Sequence, residues 1–143
     1  MSRLLRHGLL VLGLVLSACG QQPVAAAPAV PAATVEAIPG SDLKRVQLSQ
    51  QAAERLGLAT VPVARRVGTG TSVPYAAVLY DADGTTWAFT NPEPLVFIRE
   101  QIVVERIEDE IAVLSDGPAP GTLVVTVGGA ELMGVESGIG GGH

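Results

Sequence analysis

From residue 73 onward the sequence is a series of short aliphatic and β-branched runs, each closed by a turn rich in Gly, Pro or Asp. Two of these turns, residues 81–84 and 116–121, contain glycines that can adopt the left-handed backbone conformation of a tight turn. Short runs between such turns are typical of antiparallel strands. The pattern therefore predicts a mainly β fold over residues 42–136, a small antiparallel barrel or sandwich with one or two short helices.

Two residues delimit the first predicted helix. Ser49 is suited to cap a helix N-terminus and Gly57 to end it in a left-handed conformation, which predicts a helix over residues 50–56. A second short helix is predicted over residues 130–135. The predicted strands are residues 44–48, 59–63, 75–80, 85–91, 95–107, 111–114 and 122–127.

Two strands carry further information. Residues 85–91 alternate, with Trp87 and Phe89 on one face, and this spacing places both rings in the core. Residues 95–107 form a long β-branched run whose alternation is imperfect. Such an irregularity indicates a bulge or a change of sheet within the run.

The N-terminus has the composition of a secretory signal. Arg3 and Arg6 precede an aliphatic run that is too short to span a bilayer as a stable helix. The run ends in Leu16, Ser17, Ala18 and Cys19.

These four residues resemble the lipobox of bacterial lipoproteins. The resemblance implies that residues 1–18 are a signal peptide, with Leu16, Ser17 and Ala18 as recognition positions, and that Cys19 carries the lipid. The alternative is an ordinary signal peptide in which Cys19 stands by chance. Several acyl chains on one residue would make membrane attachment effectively stable.

A linker is expected to follow the lipid. Residues 19–41 are rich in Pro and Ala and show no hydrophobic period, so they predict a tether without regular structure. The glycine-rich residues 137–143 are predicted to be a disordered tail. After loss of Arg3 and Arg6 the chain keeps 7 basic and 14 acidic residues. We therefore expect attachment through lipid and not through a basic patch.

Composition excludes several classes of function. The net charge is −5, which argues against nucleic-acid binding. The only cysteine cannot form a disulfide within the chain, and the two histidines lie near the ends, at positions 7 and 143. These counts remove the usual residues of zinc sites and catalytic triads. We expect no enzymatic activity, no cofactor and no metal.

Two charged segments remain as candidate sites. Arg65 and Arg66 lie in a predicted loop and could contact acidic residues of a partner. Glu105, Glu108, Asp109 and Glu110 surround a predicted turn, but their spacing is not that of a calcium loop. The acidic segment is therefore interpreted as a solvated turn.

Much of the chain from residue 44 resembles a known family. Residues 73–87 (VPYAAVLYDADGTTW) are similar to the start of the final domain of periplasmic adaptor subunits, or membrane fusion proteins, of resistance-nodulation-division efflux pumps. Residues 102–107, 113–117 and 120–128 fit the strands that follow in that family. Residues 46–63 resemble the family's first strand–turn–strand piece, which packs beside the final domain as the membrane-proximal domain.

The resemblance has departures. Pro118 and Thr122 stand where the family usually has Leu and Asp. More importantly, only nine residues separate Val63 from Val73, where the family carries a biotinyl/lipoyl-like domain and usually a helical hairpin and a β-barrel. The chain thus resembles the membrane-proximal domain alone.

This resemblance implies a minimal or accessory adaptor lipoprotein that docks on a transporter subunit of the RND or ABC type. One alternative is a free-standing lipoprotein that binds a small ligand or an ion, and another is a degenerate remnant of a full adaptor. The expected location is the cell envelope, lipid-anchored on an extracytoplasmic face. Gly20 follows the cysteine, so the inner-membrane retention signal of an Asp at that position is absent.

Overall fold

The computed structural model describes residues 30–138, which form eleven strands, two α-helices and one 3-10 turn. Strand dominates, so the predicted mainly β class is confirmed. The strands are β1 (Ala33–Ala37), β2 (Lys44–Leu48), β3 (Ala59–Pro62), β4 (Ala64–Arg65), β5 (Thr71–Pro74), β6 (Leu79–Tyr80), β7 (Thr86–Glu93), β8 (Val96–Gln101), β9 (Val103–Glu108), β10 (Ile111–Asp116) and β11 (Leu123–Val127). The helices are α1 (Gln50–Leu56) and α2 (Gly129–Glu136), and the 3-10 turn spans Tyr75–Ala77.

The strands form two antiparallel sheets. The large sheet has the order β1-β2-β8-β7-β11-β3, with β6 also paired to β7, and the small sheet has the order β4-β5-β10-β9. The chain passes between the sheets four times, between β3 and β4, β5 and β6, β8 and β9, and β10 and β11. Val63 lies at the first of these crossings and Ile102 at the third, and both residues are buried in the core. The sheets do not close into a barrel, and the architecture is that of an open sandwich.

Adjacent residues of the central strands pack into different cores, because successive side chains of a strand point to opposite faces. Ala88 of β7 belongs to the core shared with the small sheet, whereas Phe89 packs in the cluster that includes Leu132 of α2. Val124 and Val125 of β11 are divided between the two clusters in the same way. The large sheet is therefore the middle layer, with the small sheet on one face and the helices on the other.

Local sequence explains where the helices begin and end. The Ser49 hydroxyl accepts a hydrogen bond from the Ala52 N–H at 3.2 Å, and Gly57 ends α1 with a φ of 60°. The helix over residues 50–56 is thus confirmed. Helix α2 spans Gly129–Glu136, one residue longer at each end than predicted.

Strand β1 lies inside the segment that was predicted to be a linker. It pairs with β2 from Ala33 opposite Leu48 to Ala37 opposite Lys44. Its side chains are mostly exposed, so no hydrophobic alternation marked it, and its backbone hydrogen bonds hold it to the sheet. The prediction of an unstructured linker is therefore wrong for residues 33–37. The predicted signal peptide and lipid site lie outside the described residues.

Two other strand predictions meet different outcomes. The run 95–107 does change sheet, at Ile102, as its broken alternation indicated. The predicted strand over 75–80 is wrong for its first half, which forms a 3-10 turn. There the Tyr75 N–H donates to the carbonyl of Glu110 at 2.7 Å, and the Val78 N–H donates back to Tyr75 at 2.9 Å. Only Leu79–Tyr80 is a strand.

Candidate partner-binding surface

A short loop joins β4 to β5 and carries both arginines of the predicted contact site. Arg65 ends β4, Arg66 begins the loop, and Val67 at its tip is fully exposed. Gly68 has a φ of 94° and Gly70 a φ of 93°. Positive φ values of this size favour glycine. The loop therefore turns tightly and presents the Val67 side chain between Arg66 and Gly68.

Gly70 has a second reason to be glycine. A Cβ at this position would lie 2.6 Å from the carbonyl oxygen of Leu114 in β10. Because that oxygen belongs to the backbone of a central strand of the small sheet, it cannot move aside cheaply. The loop thus packs against β10 at Gly70, where it leads into β5.

A chain of ion pairs connects this loop with β9. Arg66 Nη2 lies 3.5 Å from Glu108 Oε2, and Glu108 Oε1 lies 2.7 Å from Arg106 Nε. Arg106 Nη1 in turn lies 2.8 Å from Glu105 Oε1. Strands β4 and β9 are the two edges of the small sheet, so these contacts bring the loop after one edge against the end of the other.

The ion pairs change the titration of their members. The hydrogen bond from Arg106, and then its charge, lower the pKa of the Glu108 carboxyl below its ordinary value. The same contact raises the pKa of the Arg106 guanidinium. Both side chains remain well exposed, so each pair contributes little to stability. Their main consequence is the change in these two pKa values.

We call Arg65, Arg66, Glu105, Arg106 and Glu108, together with Val67, the charged surface. Val67 is fully exposed beside Arg66. An exposed apolar side chain next to paired charges is a composition suited to a protein partner.

The structure separates the two predicted contact residues. Arg66 is engaged by Glu108, whereas Arg65 is exposed and makes no ion pair within residues 30–138. Arg65 is thus the arginine whose charge is open to a partner. Sequence reasoning assigned Glu108 to a separate solvated turn and did not name Arg106, because both follow Arg66 by about forty residues and no local pattern links them to it.

A buried ionic network lies on the helix side of the large sheet. Arg99 of β8 contacts Glu136 and Asp81, each at 3.1 Å, and its guanidinium lies 4.5 Å from the centre of the Trp87 ring. Trp87 is thus half-buried beneath Arg99, while Phe89 is fully buried. The prediction of a core position is confirmed for Phe89 and is only partly right for Trp87.

Other features bear on the site predictions. Among residues 30–138 no group of three or more His, Cys, Asp or Glu side chains could hold a metal ion. Within the same described range, no helix has the length and apolarity needed to cross a membrane. The predicted lipobox residues Leu16, Ser17 and Ala18, and the predicted lipid site Cys19, precede the described residues.

Comparison with known proteins gives no relative. No family model, no curated protein and no solved structure matches the chain.

Proposed function

We propose that the protein is a membrane-anchored, extracytoplasmic lipoprotein that docks on an efflux-type transporter as a minimal or accessory adaptor. The lipobox ending at Cys19 supports the anchoring part of the proposal. The docking part rests on the resemblance of residues 46–63 and of the residues from 73 onward to the two pieces of an adaptor membrane-proximal domain.

One structural observation carries the proposal. The two resembling segments fold as one unit: β2 and β3 belong to the first, β7, β8 and β11 to the second, and all five share the large sheet. The junction between the segments is the tight β4–β5 loop, residues 66–70. A membrane-proximal domain without an inserted middle domain would need such a closed junction.

The charged surface supplies a place for the partner. It lies on the small sheet and on the loop that stands where the family inserts its middle domain. A lipid anchor would raise the effective concentration of a weakly bound domain at the membrane. Docking on an extracytoplasmic acidic region through Arg65, with Val67 packed against it, is consistent with this composition.

The test is photo-crosslinking in cells at two matched positions. A photoreactive phenylalanine derivative replaces Val67 in one variant and Val127, an exposed valine at the end of β11, in the other. We expect a transporter subunit to be captured from position 67 and not from position 127. Arg65→Ala should lower the capture, while Arg55→Ala, an exposed arginine on α1, should not.

The lipid part has its own control. Cys19→Ala should abolish acylation and lower the capture at position 67, because the domain then loses its membrane concentration. Acylated, well-expressed protein that captures no membrane transporter from position 67 would refute docking. Equal capture from positions 67 and 127 would refute the charged surface as the binding face.

A further inference from the structure

The exposed aromatic residues of the described chain lie together. Phe89 and Phe97 are buried and Trp87 is covered by Arg99, whereas Tyr75 and Tyr80 are 41% and 53% exposed. Their hydroxyl oxygens are 3.4 Å apart. Large aromatic side chains left at the surface as a pair are a common feature of binding sites.

Tyr80 also lines a surface cleft. The cleft has a volume of about 460 Å³, within the range of small-ligand sites. It lies where β8 crosses into β9, beside the β6–β7 turn. Its lining includes Tyr80, Thr85, Thr86, Gln101, Ile102 and Val103.

None of these lining side chains is charged, although the chain as a whole is acidic. The neighbouring Asp83 is turned to its own loop, where its Oδ1 accepts a hydrogen bond from the Thr85 N–H at 2.8 Å. That bond lowers the pKa of the Asp83 carboxyl. The cleft therefore offers a ligand hydroxyl and amide groups, and the charged Asp83 carboxylate is held in the adjacent turn by its hydrogen bond to Thr85.

The cleft offers both polar and apolar groups. Gln101 offers an exposed amide, and the Thr86 hydroxyl donates to the Ile102 carbonyl at 2.7 Å and keeps acceptor capacity. Val103, 46% exposed, adds apolar surface beside them, and the Tyr80 ring adds more. A ligand that fits both parts has an apolar face and an uncharged rim of hydroxyl or amide groups.

A pyranose ring has this chemistry: its C–H bonds form an apolar face and its hydroxyls surround it. We infer that this cleft binds a neutral saccharide, with the Tyr80 ring against the sugar face and Gln101 hydrogen-bonded to its rim. The site is separate from the charged surface, since the two share no residue. Its test is therefore independent of docking on a transporter.

The experiment is a direct binding titration of the full chain. The protein is purified in a zwitterionic detergent without a sugar head group and titrated calorimetrically with chitotetraose, cellotetraose and maltotetraose. Tetragalacturonate serves as the acidic counterpart. We expect at least one neutral tetrasaccharide to bind with a Kd of about 1 mM or below, and the acidic one to bind at least about tenfold more weakly.

Variants localise the binding. Tyr80→Ala and Gln101→Ala should each weaken it by about fivefold or more. Gln51→Ala, the same change at an exposed position of α1, should leave it unchanged. Because these positions are at the surface, circular dichroism should show all three variants to be folded.

Several results would overturn the inference. One is that no neutral tetrasaccharide binds at concentrations up to about 10 mM. Another is that the acidic tetrasaccharide binds more tightly than the neutral ones. A third is that Tyr80→Ala binds the neutral tetrasaccharide with the same affinity as the parent chain.

Discussion

Arg99 Nε lies 3.1 Å from Oε2 of Glu136, and this ion pair joins strand β8 to the last residue of helix α2. Glu136 is only 4% exposed and Arg99 20%, so both charges are largely removed from water. A carboxylate at a helix C-terminus is disfavoured by the helix dipole. Lys44 Nζ donates a 3.0 Å hydrogen bond to the backbone carbonyl of Glu136. Arg99 and Lys44 thus place two positive charges at the C-terminus of α2.

The first prediction is that Arg99→Ala destabilises the fold by about 3 kcal/mol, because it leaves the Glu136 carboxylate buried without its partner. Among the described residues neither Glu136 Oε1 nor Arg99 Nε has a hydrogen-bond partner, so the 3.1 Å contact of Arg99 with Oε2 acts on this buried carboxylate as an ion pair. Chemical denaturation measures the change as a lower midpoint with an unchanged m-value.

The double variant Arg99→Met with Glu136→Leu is the control for this prediction. The double variant removes both charges, so it should lose clearly less free energy of unfolding than Arg99→Ala does. A double variant as unstable as the single one would mean that packing, and not the unpaired charge, causes the loss.

The second prediction compares two glycines of one loop. Gly68 and Gly70 have nearly equal φ, but a Cβ at Gly68 meets nothing within 4 Å and one at Gly70 meets the Leu114 carbonyl at 2.6 Å. Gly68→Ala should cost about 1–2 kcal/mol of backbone strain. Gly70→Ala should cost about 2 kcal/mol more, because β5 must move away from β10.

Thermal unfolding of both variants measures this difference. Equal melting temperatures would show that the β4–β5 loop is not seated on β10 in solution. That result would also weaken the argument that the loop holds the charged surface in place.

Several elements could be read from the sequence because local chemistry determines them. Ser49 and Gly57 carry the capping signals of α1, and the turn at residues 81–84 carries an Asp and a left-handed glycine, Gly84, with a φ of 87°. The change of sheet at Ile102 left a trace in the alternation. In each case the residues that cause the structure are close together in the chain.

Other elements left no local signal. Strand β1 is held by backbone pairing to β2, and its exposed side chains resemble those of a linker. The charged surface depends on Arg66 meeting Glu108, and the helix end depends on Arg99 meeting Glu136. Tertiary packing determines these pairs, so they cannot be predicted from the spacing of residues along the sequence. The position of Trp87 beneath Arg99 was missed for the same reason.

The third prediction concerns the cap of α1. This helix has only two turns, so it depends on its cap and on packing against the large sheet. Ser49→Ala removes the acceptor of the Ala52 N–H and should cost about 1 kcal/mol. Ser115→Ala, where the hydroxyl makes only a 3.5 Å contact, should cost less than about half of that.

Urea midpoints of the two serine variants measure the difference. Ser49→Asp is a rescue control, because Asp is an equally good N-cap, and it should restore most of the loss. A failure of Ser49→Asp to restore stability would assign the loss to packing around the serine and not to the cap.

The fourth prediction is a pH dependence on the charged surface. Arg106 lowers the pKa of Glu108, chiefly through its hydrogen bond, so the folded-state pKa lies below the unfolded-state value. The contact therefore stabilises the fold at pH values above the unfolded-state pKa, and this contribution is lost as the pH falls through the folded-state pKa. Both side chains are exposed, so the effect on global stability should be small and weakened by salt.

The measurable consequence is local. In Arg106→Gln the pKa of Glu108 should rise toward its ordinary value near 4.5, as followed by the carboxyl carbon in an NMR titration. Arg55→Gln, at an exposed arginine of α1, should leave it unchanged. Arg66→Gln should raise it less than Arg106→Gln, because Arg66 contributes only through its charge at 3.5 Å. The reverse order would mean that the β4–β5 loop, and not β9, positions the Glu108 carboxylate for a partner.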